Sequence, residues 1–240
     1  MRALCSIVLF SLPLSCSAAV ITYTTCGGCS SSGGPVSAQA TFTTTANTVT
    51  IDLFNSLVNP SNIAQALSDL AFDLSGGTLA TATLTSSAGR ERTIASGGTF
   101  SDGAIVSTGW LLETNTTNGG LPSPGLRLCD LCAGGAGPAH TIIGPPGGAT
   151  YSAANSSIAG SGPHNPFLFG DAVTPVHFVI NVPGVTTSTT ITAVRFSFGT
   201  TEGDNVIGFI TNNEVPEPSS LLLLGGALLG LGAFRRRFKV

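Results

Sequence analysis

Four cysteines carry the type and spacing that most directly suggest chemistry. They form two C-x-x-C pairs, Cys26-Gly27-Gly28-Cys29 and Cys129-Asp130-Leu131-Cys132, with 99 residues between the pairs. Such pairs can hold a tetrahedral zinc ion on four thiolates, run thiol–disulfide exchange, or close as disulfides. Zinc ribbons bring their two knuckles within about 15–20 residues. A redox-active pair is favoured at a helix N-terminus, and neither pair opens a helical pattern. Covalent haem needs a His after the second Cys, but Ser30 and Ala133 follow here. Disulfides are therefore the expectation, with zinc and redox work as alternatives, and the connectivity stays open. Two cross-bridges would tie the N-terminal strand to the 129–132 loop. Closing a loop of about 100 residues is worth up to roughly 4–5 kcal/mol in the chain-entropy account. Two local bridges would stabilise less.

The remaining chemistry-bearing residues are sparse. His140, His164 and His177 show no metal-ligand spacing and read as surface or packed residues. Glu202-Gly203-Asp204-Asn205 is a compact acidic turn, which makes Glu202 and Asp204 weak Ca2+ candidates. The sequence has no G-x-S-x-G elbow, no H-E-x-x-H and no phosphate loop. No catalytic residue, no resident metal and no cofactor are expected. Trp110, Tyr23 and Tyr151 are the non-Phe aromatics a sugar-binding surface would need.

The elements that must position these residues read as strands. Charged residues are only 9% of the 240, and apolar residues 42%. Against an average near 25% charged, this composition excludes a charge-rich disordered chain. Thr, Val, Ile and Phe alternate with polar residues, the period-2 signature of a half-buried strand. Strands are predicted over 20–25, 38–45, 48–54, 69–74, 78–85, 108–113, 175–182, 190–198 and 206–211. Gly76-Gly77, Gly97-Gly98 and Asn118-Gly119-Gly120 mark turns. A short helical stretch over 61–67, capped by Ser61, is the exception. Residues 133–166 are rich in Gly, Pro, Ser and Ala and read as a long surface excursion with little regular structure. The fold class is all-β: a two-sheet β-sandwich of jelly-roll type over 20–214. An N-terminal signal helix and a short C-terminal transmembrane helix complete the expected architecture.

The two ends differ from the body. Residues 1–19 have a positive start at Arg2, an apolar run and the small residues Ser17-Ala18-Ala19 before Val20, the pattern of a secretory signal peptide. Residues 215–240 open with Val215-Pro216-Glu217-Pro218, continue through an uncharged apolar run over 219–234, and close on Arg235-Arg236-Arg237-Phe238-Lys239. Sixteen helical residues reach about 24 Å, short of the ~30 Å hydrocarbon core, though arginines can snorkel and lengthen the span. The charge rule places the basic stop in the cytoplasm and the body outside.

This C-terminal order resembles the PEP-CTERM sorting signal. Pro216, Glu217 and Pro218 supply its motif, and Arg235, Arg236 and Arg237 its basic stop. The resemblance implies a Gram-negative bacterium and an exosortase partner in the inner membrane. It also implies cleavage near 216–218, followed by residence at the cell surface or in the extracellular polysaccharide matrix of a biofilm. A second stretch, Thr50-Ile51-Asp52-Leu53-Phe54-Asn55 with Leu67-Ser68-Asp69-Leu70-Ala71-Phe72-Asp73-Leu74, is similar to the body of certain exosortase-dependent surface proteins. That group carries no activity to transfer.

Between Val20 and Pro218 the chain keeps Arg90, Arg92, Arg127 and Arg195 against all twelve acidic residues, a balance of −8, and it has no Lys. Nucleic acid is excluded as a partner, because phosphate binding depends on clustered Lys and Arg. The expectation is a non-enzymatic exported surface or matrix protein. A carbohydrate-binding module acting on exopolysaccharide is the alternative.

Overall fold

The structure is a computed structural model, and it describes residues 18–133, 140–162, 164–201 and 203–214. The expected signal helix over 1–19, apart from its last two residues, and the expected transmembrane helix within 215–240 lie outside the described residues. Among the described residues no helix is long and apolar enough to cross a membrane. Ala18–Glu214 forms one compact unit.

The body is all-β, as the alternation predicts. The first five strands are β1 (Ala19–Thr25), β2 (Ser30–Ser31), β3 (Gly34–Pro35), β4 (Ala38–Thr45) and β5 (Thr48–Asn55). The middle of the chain gives β6 (Leu67–Leu74), β7 (Thr83–Ile94), β8 (Phe100–Val106), β9 (Leu111–Thr116) and β10 (Gly125–Cys129). The last five are β11 (Ile142–Ile143), β12 (Phe167–Phe169), β13 (Val176–Asn181), β14 (Ile191–Phe198) and β15 (Asn205–Glu214).

Pairing runs β11-β12-β7-β13-β5-β4-β1-β15-β14-β6-β10-β9, with β8 on β7. A bridge from Ile142 to Leu67 brings β11 back to β6, so the hydrogen-bonded path closes. Only β11 with β12 is parallel among these pairs. Two long strands change neighbours along their length. β7 pairs with β13 through 83–88 and with β8 and β12 through 89–94. β15 pairs with β14 through 205–207 and with β1 through 208–214.

The core sits inside this closed path. Val49, Ile51 and Leu53 of β5 point inward, while Thr48, Thr50 and Asp52 stay half-buried. Phe42 of β4 meets Phe72 of β6 at a ring-centroid distance of 5.1 Å. Trp110 meets Phe178 of β13 at 5.3 Å. The Tyr23 hydroxyl donates to the Ile191 carbonyl at 2.7 Å. These contacts join elements that share no ladder and make them one apolar cluster.

Three expectations need correction. The helix over 61–67 is a single 3-10 turn at Ile63–Gln65, capped by Asn62, whose side-chain oxygen accepts from the Ala64 amide at 3.0 Å. Ser61 instead bonds Gln65 Oε1 through its amide and hydroxyl. The strand over 78–85 is a 3-10 turn at Leu79–Thr81, and β7 begins after it at Thr83. Gly76-Gly77 and the flanking polar residues left no period to distinguish the two.

The third correction concerns the excursion over 133–166. Tyr151 and Ile158 are buried in a second apolar cluster with Ile94, Ile143, Phe167 and Phe169. The Tyr151 hydroxyl donates to the Gly144 carbonyl at 2.7 Å and accepts from Arg92 Nη1 at 3.1 Å. Arg92 in turn forks onto Asp102 at 2.6 and 2.9 Å and stacks 3.3 Å above the Phe169 ring. Apart from the short β11 ladder to β12 and β6, Gly and Pro leave this segment irregular, and side-chain anchors hold it.

Gly98 closes the β7–β8 turn at φ +81°, and a Cβ there would strike the Tyr151 backbone carbonyl. Its own carbonyl accepts from the Tyr151 amide at 2.8 Å. Gly98→Ala should therefore destabilise the body by about 2 kcal/mol or more in chemical denaturation, by strain and loss of that contact.

Candidate functional site

A cluster of titratable groups lies where β9, β10 and β6 run side by side. β10 reads Gly-Leu-Arg-Leu-Cys and is buried at every position. Arg127 sits opposite Glu113 of β9 and Ala71 of β6, and Cys129 opposite Leu111 and Asp69. The side chain of Arg127 is 2% exposed and that of Asp69 is fully buried. Arg127 Nη2 donates to Asp69 Oδ2 at 2.8 Å, and Nη1 to Glu113 Oε2 at 3.1 Å. A buried cation held by two carboxylates this way is costly to break from one side. Sequence reasoning passed over this arrangement. Its only signal was an Arg inside an apolar run, in a body with four cations.

Asp69 also organises the turn that follows β10. Its Oδ1 accepts from the amides of Asp130 at 3.1 Å and Leu131 at 3.4 Å. The Asp130 amide also donates to the Ser68 carbonyl at 3.0 Å. Cys129 and Cys132 are disulfide-bonded across this turn, Cα to Cα 5.5 Å, and the Cys132 amide donates to Cys129 Sγ at 2.9 Å. Cys26 and Cys29 form the second bridge, Cα to Cα 5.2 Å. Both bridges are local, and each closes a loop of a few residues. The chain-entropy gain is therefore far below that of a cross-bridge.

The other residues singled out by sequence fall in separate places. Among the described residues, the one grouping with metal-ligand spacing is Glu113, Cys129 and Cys132, so the two C-x-x-C pairs do not converge on a four-thiolate site. Asp204 Oδ2 accepts from the amide of Ser32 at 2.7 Å and from its hydroxyl at 2.5 Å, so it pins the β2–β3 hairpin. Glu202 lies outside the described residues. His140 is 3.1 Å from both the Thr108 carbonyl and Glu91 Oε1 through its two ring nitrogens. His177 Nδ1 is 2.7 Å from Asp52 Oδ1 on the outer face of β13 and β5. His164 lies in the segment anchored by Tyr151. Tyr23 is 4% exposed, Trp110 2% and Tyr151 1%. These three aromatics are core residues and make no sugar-stacking platform. Phe209 of β15, 50% exposed between Ile207 and Ile210, faces outward.

Residues 214–237 match the PEP-CTERM protein-sorting motif. The match takes in Pro216, Glu217, Pro218 and Arg235, Arg236, Arg237, which lie outside the described residues. It begins on the last residue of β15, so the described body and the motif adjoin without a linker. Among curated proteins and solved structures, none matches this chain. The motif indicates exosortase-dependent sorting of an exported protein, destined for the cell envelope or surface.

Asp130 is the exceptional acid of the cluster. Its side-chain Oδ2 is buried without a hydrogen-bond partner. Burial, and then the neighbouring charge of Asp69, push its carboxyl up to about 7. Burial also raises Asp69, against the pull of Arg127 and the two backbone amides. The folded Asp130 thus holds its proton through a range where the unfolded chain, near the ordinary value of 3.8, releases it. Stability from this group is fully present below that lower value and is lost as pH rises through about 7. Asp130→Asn should remove this dependence. The variant should gain on the parent by up to about 4 kcal/mol between pH 4 and 8, read from denaturant midpoints at each pH.

Proposed function

We propose that the chain is a non-enzymatic surface or matrix protein whose C-terminal signal is cut by an exosortase near Pro216-Glu217-Pro218. The observation that carries this reading is the sorting motif at 214–237, adjoining a completed β body. In this reading residues 1–19 direct export and are removed before Val20. The apolar run over 219–234 holds the chain in the inner membrane, and Arg235, Arg236 and Arg237 stop its translocation. Cleavage then releases the body to the cell surface or the exopolysaccharide matrix of a biofilm.

The body suits that destination. Its balance is acidic and it has no Lys, which favours solubility among polyanions over adhesion to them. Its cysteines are paired locally, which suits an oxidising compartment. In architecture it is a sandwich of jelly-roll type, a reading supported by β7 and β15 serving two neighbours each. The sugar-binding alternative loses the three aromatics that motivated it.

Replacing Pro216, Glu217 and Pro218 together by Ala should leave export intact and retain the protein in the inner-membrane fraction. Cell fractionation with an antibody to the body reads this directly. Undiminished surface display of that variant would contradict exosortase cleavage at this site.

A further inference from the structure

We infer that the Cys129–Cys132 bridge is a redox-gated metal site: once reduced, Cys129, Cys132 and Glu113 bind a soft or borderline divalent cation such as Zn2+. The ligand atoms of the three residues lie within 4.8 Å of one another. Two thiolates and one carboxylate, with a fourth position left to water, form a donor set that zinc accepts.

The turn that carries the two sulfurs does not depend on the bridge. β10 is paired on both edges, to β6 and to β9. Asp69 and Ser68 hold the amides of Asp130 and Leu131. The Cys132 amide already points at Cys129 Sγ, the donor arrangement that stabilises a thiolate. Opening so small a loop gives up little chain-entropy stabilisation, so the turn keeps its backbone in place while the two sulfurs part from bonding distance to ligand spacing. Glu113 is oriented as a ligand should be. Its Oε2 accepts from Arg127 at 3.1 Å and from Asn118 Nδ2 at 3.2 Å, the outer-sphere bonding that fixes a coordinating carboxylate. Two thiolates and a carboxylate around a divalent cation leave one excess negative charge, and the Arg127 guanidinium, which Glu113 shares with Asp69, lies beside it.

The step balances with a dithiol reductant. The dithiol loses two electrons and two protons and closes its own disulfide, and the Cys129–Cys132 S–S bond becomes two thiols. The incoming cation then displaces those two protons to solvent. Cys129 is buried and Cys132 partly exposed, so exchange begins at the Cys132 sulfur.

The test uses the full chain in detergent, with the other four cysteines replaced by Ser and folding checked by circular dichroism. Treated with a dithiol and freed of excess reductant, it is titrated with Co2+ under argon. One Co2+ per chain should bind with thiolate-to-cobalt charge-transfer absorption, and added Zn2+ should abolish that band. The oxidised protein should give no band. Glu113→Gln should weaken Co2+ binding by about tenfold or more, and Cys132→Ser should abolish the band. A folded, thiol-titratable protein without the band overturns the proposal. So does a band that survives Cys132→Ser, and so does a Glu113→Gln variant that binds as tightly as its parent.

Discussion

Everything in this body depends on where β15 goes. Its first residues complete the ladder of β14 and its later residues complete the ladder of β1. Without it, β1 and β14 would each present an open edge, and the closed path would become an open sheet. Unpaired edges recruit other strands, and a 240-residue chain with 9% charge has few residues to blunt them. The C-terminal strand is therefore the closure of the fold, and the sorting motif begins on its last residue. A body that finishes folding only when β15 docks is complete at the point where the signal starts.

The same economy explains the interior. With four cations in the body, each buried charge must be matched within reach. Arg127 lies between Asp69 and Glu113, and Arg92 between Asp102, Tyr151 and the Phe169 face. Each arginine supports an irregular stretch: Arg127 holds Asp69, which binds the amides of the Cys129–Cys132 turn, and Arg92 bonds Tyr151. Desolvated charge of this kind contributes less to net stability than to fixing one arrangement. The apolar faces of β4, β5, β6, β13 and β14 supply the bulk of the driving force.

Much of this was legible in the sequence, because alternation is local. β4 and β5 read directly from Thr-Phe-Thr and Val-Thr-Ile-Asp-Leu, and β13 and β14 from Phe178 and Phe196 with their neighbours. What escaped was set by distant partners. β10 is covered on both faces and has no period to detect. The second half of β7 carries Arg90, Glu91 and Arg92, whose charges mask a strand until Asp102 and the aromatic rings are placed beside them. Tyr151 and Ile158 looked like loop residues because their contacts lie on β7 and β12. At the candidate site the cysteine spacing was visible, but not the pairing or the Asp69–Arg127–Glu113 network, which exists only through strand register. The sorting motif was the most legible feature of all, since its parts are ordered along the chain and need no tertiary contact.

We propose that the chain is exported, trimmed at both ends, and left as a disulfide-bonded β body. Intact mass with terminal peptide mapping on protein recovered from its native host tests it most directly. The account predicts a start at Val20, an end within 216–218, and a body lighter by the four hydrogens of two disulfides. A C-terminus that runs intact to Val240 on protein at the cell surface would contradict it.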